Sequence, residues 1–154
     1  MTVKHIETKI INPLVGVTIP LPSYATDGSA ALDLRACIEH PRTIHPGETV
    51  TIPSGIAINI KDPSLVALLA PRSGLGIKHG IILANTIGII DSDYQGEILI
   101  GLFNRGEHPY EIQPGERICQ MLFMPVCQAT LQLVESFSSI TMRGDGGFGH
   151  TGRS

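Results

Sequence analysis

The stretch most suggestive of chemistry is LANTIGIIDSDYQGEI, residues 83–98. A strongly apolar run ends abruptly at Asp91, and a glycine turn then leads into another apolar run. Because Asp91 directly follows two isoleucines, we expect its carboxylate at the edge of the buried region, where it could act as a general base on one water molecule. Asn85 carries a donor and an acceptor on one planar amide, which suits the edge of a nucleobase. An ordinary hairpin turn uses the same residue types, so this stretch alone leaves both interpretations open.

A second stretch with chemical potential is APRSGLG, residues 70–76. Its proline and two glycines predict a tight turn, in which backbone N–H groups can closely approach a bound group. Arg72 adds a fixed positive charge and Ser73 adds a hydroxyl donor, so the stretch suits an anion such as a phosphate. A simple turn at the end of a strand, with an exposed arginine, stays open as the alternative.

Two further stretches contribute polar side chains to strands. In GSAALDLRA, Asp33 lies between two leucines, and alternation places it on the face opposite them. In GERICQMLF, Gln120 could donate to a phosphate oxygen, whereas Glu116 and Arg117 are interpreted most simply as an exposed pair at the start of a strand. Taken alone, both stretches are explained by solvent-facing polar groups on strands.

The glycine-rich tail, MRGDGGFGHTGRS at residues 142–154, contains five of the 17 glycines. Glycine has no side chain to bury and loses much conformational freedom on ordering, so this segment gains little from folding by itself. Its unobstructed N–H groups could bind phosphate once held in place, with Arg143 for charge, Phe148 for stacking and Thr151 for a hydroxyl. A frayed terminus is the alternative, but Phe148 then has nothing to pack on.

The elements that position these stretches are predicted to be short strands. The 11 prolines and 17 glycines interrupt brief apolar runs, several of which alternate apolar with polar residues. We expect at most one short helical turn, in RSGLGIKHG, with Ser73 as its N-cap. The runs predicted as strands are ETVTIP, GIAINI, LVALLAP, GEILIGLF, RICQMLFMPV and ATLQLVE.

These patterns predict an all-β fold, either a jelly-roll-like sandwich or a closed barrel. The 154 residues are enough for one domain with a continuous core. The composition changes only after Ser138, so we predict a single β domain over residues 1–138 and a flexible, glycine-rich arm over residues 139–154.

Charge, cysteine content and hydropathy narrow the expected environment. A net charge of -3 gives no long-range attraction for nucleic acid or an anionic membrane, so neither is expected as a partner. The 3 cysteines are too few and too scattered for a disulfide framework or a zinc site. The apolar runs are too short to cross a bilayer, and we therefore expect a cytoplasmic protein.

Five of these stretches resemble, in order and spacing, the motifs of the trimeric deoxyuridine triphosphate nucleotidohydrolases, the dUTPases. The five are GSAALDLRA, PRSGLG, GIIDSDYQGEI, GERICQMLF and RGDGGFGHTG. The resemblance runs from about Leu21 to Gly152, and five ordered motifs are far more specific than any single one. It implies a jelly-roll homotrimer that hydrolyses dUTP to dUMP and pyrophosphate with Mg²⁺, in active sites shared between subunits.

The resemblance also implies roles for individual residues. Asp91 activates the water that attacks the α-phosphorus, Asp33 lies near the metal-bound waters, and Arg143 reaches the terminal phosphate. Mg²⁺ is held by the substrate phosphates and water, without a direct protein ligand. The residues expected to bind the substrate are Arg72, Ser73, Gly74, Asn85, Ile90, Tyr94, Gln120, Phe148, Gly149, His150 and Thr151.

Within that set, the resemblance implies different binding groups for the base and for the sugar of the nucleoside. The hairpin from Asn85 to Ile98 receives uracil, and Tyr94 packs under the deoxyribose so that no room is left for a 2′-hydroxyl. The arm is expected to be mobile without substrate and to order on dUTP, with Phe148 stacked on the base.

Two other functions stay open. The related dCTP deaminases share the fold and the substrate class, but the intact DSDYQGE hairpin and the full tail favour hydrolysis. A jelly-roll binding protein would keep the nucleotide pocket without turnover, and such a protein would need neither Asp91 nor Arg143.

Overall fold

The computed structural model describes residues 3–147, which form ten strands and one short helix. The elements are β1 Glu7–Ile10, β2 Leu32–Arg35, β3 Arg42–Ile44, β4 Thr49–Asn59, β5 Leu65–Pro71, α1 Ser73–Lys78, β6 Ile81–Leu83, β7 Gly88–Ile90, β8 Glu97–Asn104, β9 Tyr110–Ile112 and β10 Arg117–Pro125. The prediction of an all-β fold with one short helix is confirmed. No helix in this part of the chain is long and apolar enough to span a membrane.

The strands form two four-stranded sheets and one two-stranded sheet. The first sheet has the order β1-β4-β8-β6, the second has the order β2-β10-β5-β7, and β3 pairs with β9. All named pairings are antiparallel. Apolar side chains from all three sheets meet in one core cluster, as expected of a jelly-roll-like sandwich.

The core contains one fully buried polar side chain whose hydrogen bonds are satisfied. The Asn104 amide donates to the carbonyl oxygens of Ile44 at 2.9 Å and of His108 at 2.8 Å. Its oxygen accepts from the Gly106 N–H at 2.8 Å. Because each polar atom has a partner, Asn104 can link β3, β8 and the loop after β8 without a desolvation penalty.

The strand β4 crosses a break that the sequence pattern predicted. Residues 48–53 and 55–60 were expected to be separate strands, but the chain continues through Gly55 as one strand with a register shift between Pro53 and Ala57. Gly55 has a φ of 76°, and its N–H donates to Glu97 Oε1 at 2.9 Å. The bulge therefore absorbs the proline and glycine without ending the strand.

We expect Gly55→Ala to lower the free energy of unfolding by about 2–5 kcal/mol, since it combines left-handed strain with overpacking. A Cβ at Gly55 would lie 2.5 Å from Cys37 Sγ and 2.5 Å from Val15 Cγ2. The measurement is urea unfolding at one fixed protein concentration.

The matched control is Gly47→Ala, since Gly47 has a φ of 78° but no atom lies within 4 Å of its added Cβ. This variant carries the strain alone, which costs about 1–2 kcal/mol. Equal losses in the two variants would contradict the crowding at the β4 bulge.

The chain after β10 has no regular structure in the described residues, so the predicted strand ATLQLVE is wrong for the isolated chain. Its apolar side chains face solvent, with Leu131 90% and Leu133 97% exposed. Alternation alone could not reveal this, because a strand requires a partner strand and residues 3–147 do not provide one. The regular elements thus end at Pro125, before the domain boundary that we predict at residue 138.

Candidate functional site

Polar side chains from three neighbouring strands meet at one end of the second sheet. In the register of β10, Gln120 lies opposite Asp33 of β2 on one side and Ala70 of β5 on the other. Arg72 follows directly after β5. These groups line a pocket of about 330 Å³ together with Ser73, Gly74 and Arg117. We call this the cationic pocket.

The carboxylate of Asp33 is held between two guanidinium groups. Arg72 Nε lies 3.0 Å from Asp33 Oδ1, and Arg117 Nη1 donates to Asp33 Oδ2 at 3.1 Å. Arg72 Nη1 also donates to the Arg117 carbonyl oxygen at 3.0 Å. Two fixed cations against one carboxylate leave a surplus positive charge, so the cationic pocket suits an anion.

Arg117 is a site residue that the sequence analysis missed. Strict alternation from Gln120 would place Arg117 on the buried face, together with Cys119. The structure has a register shift between Arg117 and Cys119, so Arg117 lies opposite Arg35 and reaches Asp33. A bulge of this kind redirects a side chain, and nothing in the letters GERICQ marks it.

The short helix α1 begins beside the cationic pocket. Arg72, not Ser73, occupies the N-cap position, and its side chain makes no capping hydrogen bond. The predicted N-cap role of Ser73 is therefore wrong: Ser73 is the first helical residue and is exposed. A Cβ on Gly74 would meet nothing within 4 Å, so the space beside this turn is open.

Two side chains of β10 near the pocket, Gln120 and Cys119, are fixed in orientation or protonation by their surroundings. Gln120 Nε2 donates to the Pro71 carbonyl oxygen at 3.1 Å, which holds its amide beside the start of α1. Burial, with a smaller contribution from the charge of Asp33, raises the pKa of the Cys119 thiol to about 12. The thiol thus stays protonated and is not a nucleophile for this pocket.

Asp91 lies at the other end of β5. The strand β7 pairs with β5 through Ile90 opposite Ala67, and Asp91 comes directly after it. Asp91 is therefore level with Val66 of β5. Val66 lies six residues before Arg72. At about 3.3 Å per residue, Asp91 and Arg72 are roughly 20 Å apart along the strand. The isolated chain does not bring Asp91 to the cationic pocket.

The other predicted nucleoside-binding residues cluster around β7. Asn85 is exposed in the turn between β6 and β7, and Ile90 is half-buried. The Tyr94 N–H donates to the Asp91 carbonyl oxygen at 3.1 Å, which closes the turn after β7. Asp91 is exposed and lines a groove of about 820 Å³.

The arm is only partly described. Arg143 is exposed, and its Nε donates to the Gly146 carbonyl oxygen at 2.9 Å within a local turn. The predicted ligands Phe148, Gly149, His150 and Thr151 lie outside the described residues. Within residues 3–147, no three His, Cys, Asp or Glu side chains are placed to share a metal ion.

Comparisons with known proteins agree on one family. The family model described as dUTPase matches residues 18–152. The chain is similar to the proteins named deoxyuridine 5′-triphosphate nucleotidohydrolase of Escherichia coli O9:H4 (strain HS) and Shigella boydii serotype 18 (strain CDC 3083-94 / BS512). Each is 58% identical over 150 residues, which is 97% of this chain and 99% of the relative.

Solved structures agree on the fold. A Staphylococcus bacteriophage 80alpha dUTPase mutant with dUpNHpp aligns with a TM-score of 0.86 at 24% identity, over 98% of this chain and 100% of that one. A mutant dUTPase from phage phi11 of S. aureus, which coordinates a structural Mg(II) ion, aligns with a TM-score of 0.76 at 20% identity, over 88% and 100% of the two chains. By its sequence, its motifs and its fold, this chain belongs to the dUTPase family.

Proposed function

We propose that this chain hydrolyses dUTP to dUMP and pyrophosphate, which keeps uracil out of DNA and supplies dUMP for dTMP synthesis. The observation that carries the proposal is the cationic pocket, in which Arg72, Arg117 and Gln120 converge with Asp33. Family membership and the names of relatives 58% identical over 97% of the chain support the same reaction.

The triphosphate binds in the cationic pocket. Arg72 and Arg117 contribute charge, while Ser73, Gly74 and Gln120 contribute hydrogen-bond donors, with Ser73 near the bridge between the α- and β-phosphates. Because Arg72 forms an ion pair with Asp33, incoming phosphate oxygens compete with that carboxylate for the guanidinium. Arg117 then retains Asp33 in place.

Asp91 acts as the general base. Its carboxylate takes a proton from the water that attacks the α-phosphorus in line, and the bond from the α-phosphorus to the oxygen bridging the β-phosphate breaks. Pyrophosphate is the leaving group. The exposed position of Asp91 after β7 supports this role, since a general base needs access to both water and substrate.

Uracil is recognised along the hairpin that contains Asn85 and Ile90. Uracil presents acceptor, donor and acceptor atoms along its pairing edge, which alternating backbone groups and one amide can match. Cytosine reverses part of that pattern, and each buried group left unpaired costs about 1–3 kcal/mol. The methyl group of thymine is excluded by a rigid backbone wall.

The cationic pocket fits a magnesium-bound triphosphate. Mg²⁺ commonly keeps several waters and binds through one or two carboxylates plus substrate phosphates, and Asp33 is the carboxylate that lines this pocket. When bound, the ion neutralises charge on the phosphates. Asp33 orients the surrounding water, and it needs no direct bond to the metal to do so.

We also propose a homotrimer whose active sites are shared between chains. The separation of roughly 20 Å between Asp91 and Arg72 along β5 supports sharing, since one triphosphate must reach both. The apolar residues Leu131, Leu133 and Phe137, between β10 and the arm, are 88–97% exposed in the isolated chain, which supports coverage by a neighbour. In this assembly the arm over residues 139–154 closes a site on other chains.

The experiment that tests the reaction is pyrophosphate release from dUTP, dTTP, dCTP and UTP, with and without a chelator. We expect turnover of dUTP alone at a substantial rate, and its loss on chelation. Ammonia release from dCTP would favour a deaminase. Binding of dUTP with pyrophosphate release at the background rate would favour a binding protein.

Arg117→Gln is expected to lower kcat/KM for dUTP by about 10- to 100-fold, because a hydrogen bond to a charged group contributes about 1.5–3 kcal/mol. Arg42→Gln is the control, since Arg42 pairs with Glu48 on an exposed surface away from the pocket. Steady-state kinetics of both variants make the comparison. If Arg117→Gln and the wild-type protein have equal kcat/KM for dUTP, Arg117 is not part of the site.

The cytoplasm is our proposed location. The cysteines Cys37, Cys119 and Cys127 are all free, and Cys127 is exposed, which suits a reducing compartment.

A further inference from the structure

The Tyr94 ring is folded back over Gly96. A Cβ added to Gly96 would lie 2.5 Å from Tyr94 Oη and 2.7 Å from Tyr94 Cζ. In this position the Tyr94 hydroxyl donates to the carbonyl oxygen of Glu97 at 3.0 Å. The ring therefore occupies the space that any side chain at residue 96 would need.

The acceptor of this hydrogen bond is firmly held. Glu97 is the first residue of β8 and pairs with Ala57 of β4. Its side chain accepts a hydrogen bond from the Gly55 N–H at 2.9 Å, which fastens it to the bulge of β4. The tyrosine hydroxyl is thus tied to a fixed point of the first sheet.

The backbone itself does not require glycine at residue 96. Gly96 is not among the glycines with a positive φ, so an L-residue could adopt its conformation. The nearest atoms to an added Cβ all belong to the Tyr94 side chain. Tyr94 is 43% exposed, so its ring has room to swing away from an added methyl group without disturbing the core.

The position of the ring matters because it forms a wall of a small cavity. This cavity, of about 160 Å³, is lined by Tyr94 together with Ile90, Asp91 and Leu99. A ring held beside Gly96 by the hydrogen bond to Glu97 gives the cavity a fixed width beside Asp91. A ring that pivots outward makes the cavity wider.

We propose that Gly96 is a positioning residue that determines selectivity for the sugar. The inference rests on the proposed function and on the expectation, implied by the resemblance to dUTPases, that Tyr94 packs under the deoxyribose. By leaving space for the Tyr94 ring, Gly96 keeps the wall where a 2′-hydroxyl would collide with it. Gly96 touches neither the substrate nor the reacting atoms, and it acts through Tyr94.

The test compares kcat/KM for dUTP and for UTP in Gly96→Ala. We expect the ratio of the two values to fall about 10-fold or more, in line with the 10- to 200-fold discrimination that pocket shape provides for one small group. The thermal midpoint is expected to stay within a few degrees of the unchanged chain, because only an exposed ring must move. A structural role alone would lower both values together and leave the ratio unchanged.

Gly101→Ala is the matched control. Gly101 lies on β8, the strand that begins directly after Gly96, and its added Cβ would meet only Ala84 Cβ at an ordinary 3.5 Å. We expect its ratio to be unchanged. Tyr94→Phe keeps the ring but removes the hydrogen bond to Glu97, so we expect a smaller fall in the ratio than in Gly96→Ala.

An unchanged ratio in Gly96→Ala, or an equal fall in Gly101→Ala, would overturn the inference. Both outcomes can be measured only if the wild-type protein hydrolyses dUTP. Failure of that reaction in the unchanged chain would instead overturn the proposed function.

Discussion

Asp91→Asn is expected to lower kcat for dUTP by about 100- to 10,000-fold, the contribution of a general base. The amide has the shape of the carboxylate but cannot take a proton from the attacking water. Nucleotide affinity should be retained, since the substitution removes no hydrogen-bond donor and no positive charge. Steady-state pyrophosphate release gives kcat, and calorimetric titration with the imido analogue dUpNHpp gives Kd.

Asp93→Asn is the control for this experiment. Asp93 is an exposed acid in the same turn, two residues further along, and its replacement removes the same charge. A fall in kcat restricted to Asp91→Asn would locate the effect at one carboxylate. Equal turnover in Asp91→Asn and the unchanged chain would remove Asp91 from the mechanism.

Deletion of residues 142–154 is expected to leave a folded, assembled protein that is nearly inactive. Residues 142–147 are mostly exposed, and the hydrogen bonds they make stay within residues 141–146, so the core loses no contact with this part of the arm. The deletion removes Arg143, and an arginine delivered to phosphates during phosphoryl transfer contributes about 10³- to 10⁵-fold in rate. Thermal unfolding and light scattering check the fold and assembly, and pyrophosphate release checks the rate.

Arg143→Ala in the full chain tests whether the turnover lost on deletion depends on the charge of Arg143 or on closure of the arm over the site. If Arg143 accounts for most of the effect, this variant should lose nearly as much turnover as the deletion. An unfolded deletion variant would contradict the proposal, because it would make the arm a structural element.

Mixing the two defective chains tests whether sites are shared. Assemblies refolded from Asp91→Asn chains and deletion chains would contain some sites with an intact Asp91 from one chain and an intact arm from another. We expect partial recovery of activity in these mixtures. Without recovery, Asp91 and the arm of one site would have to come from the same chain.

The sequence pattern predicted the parts of the fold that depend on local alternation. Asp33 does lie on the face opposite the fully buried Leu34, and the chain is all-β with one short helix. The five motifs correctly identified the dUTPase family. These predictions succeeded because side-chain alternation and turn residues act over a few positions.

What the pattern missed depends on register and on neighbours. Arg117 reaches Asp33 beside a register shift in β10, and β4 continues past Pro53 through a second shift, where the Gly55 N–H donates to Glu97. Neither shift is visible as a change in residue type. The exposed run at Leu131 and Leu133 has strand alternation but pairs with no strand in the part of the chain that the structure describes.

The pairing of β5 has a consequence for the proposed assembly. If Arg72 at one end serves one catalytic centre and Asp91 beside the other end serves a second, the length of β5 fixes the spacing between two centres. A single inserted residue would turn half of the strand's side chains over and would misalign both centres at once. Surface loops can change length freely, whereas this strand behaves as a rigid spacer whose length cannot be altered without a matching change in the subunit arrangement.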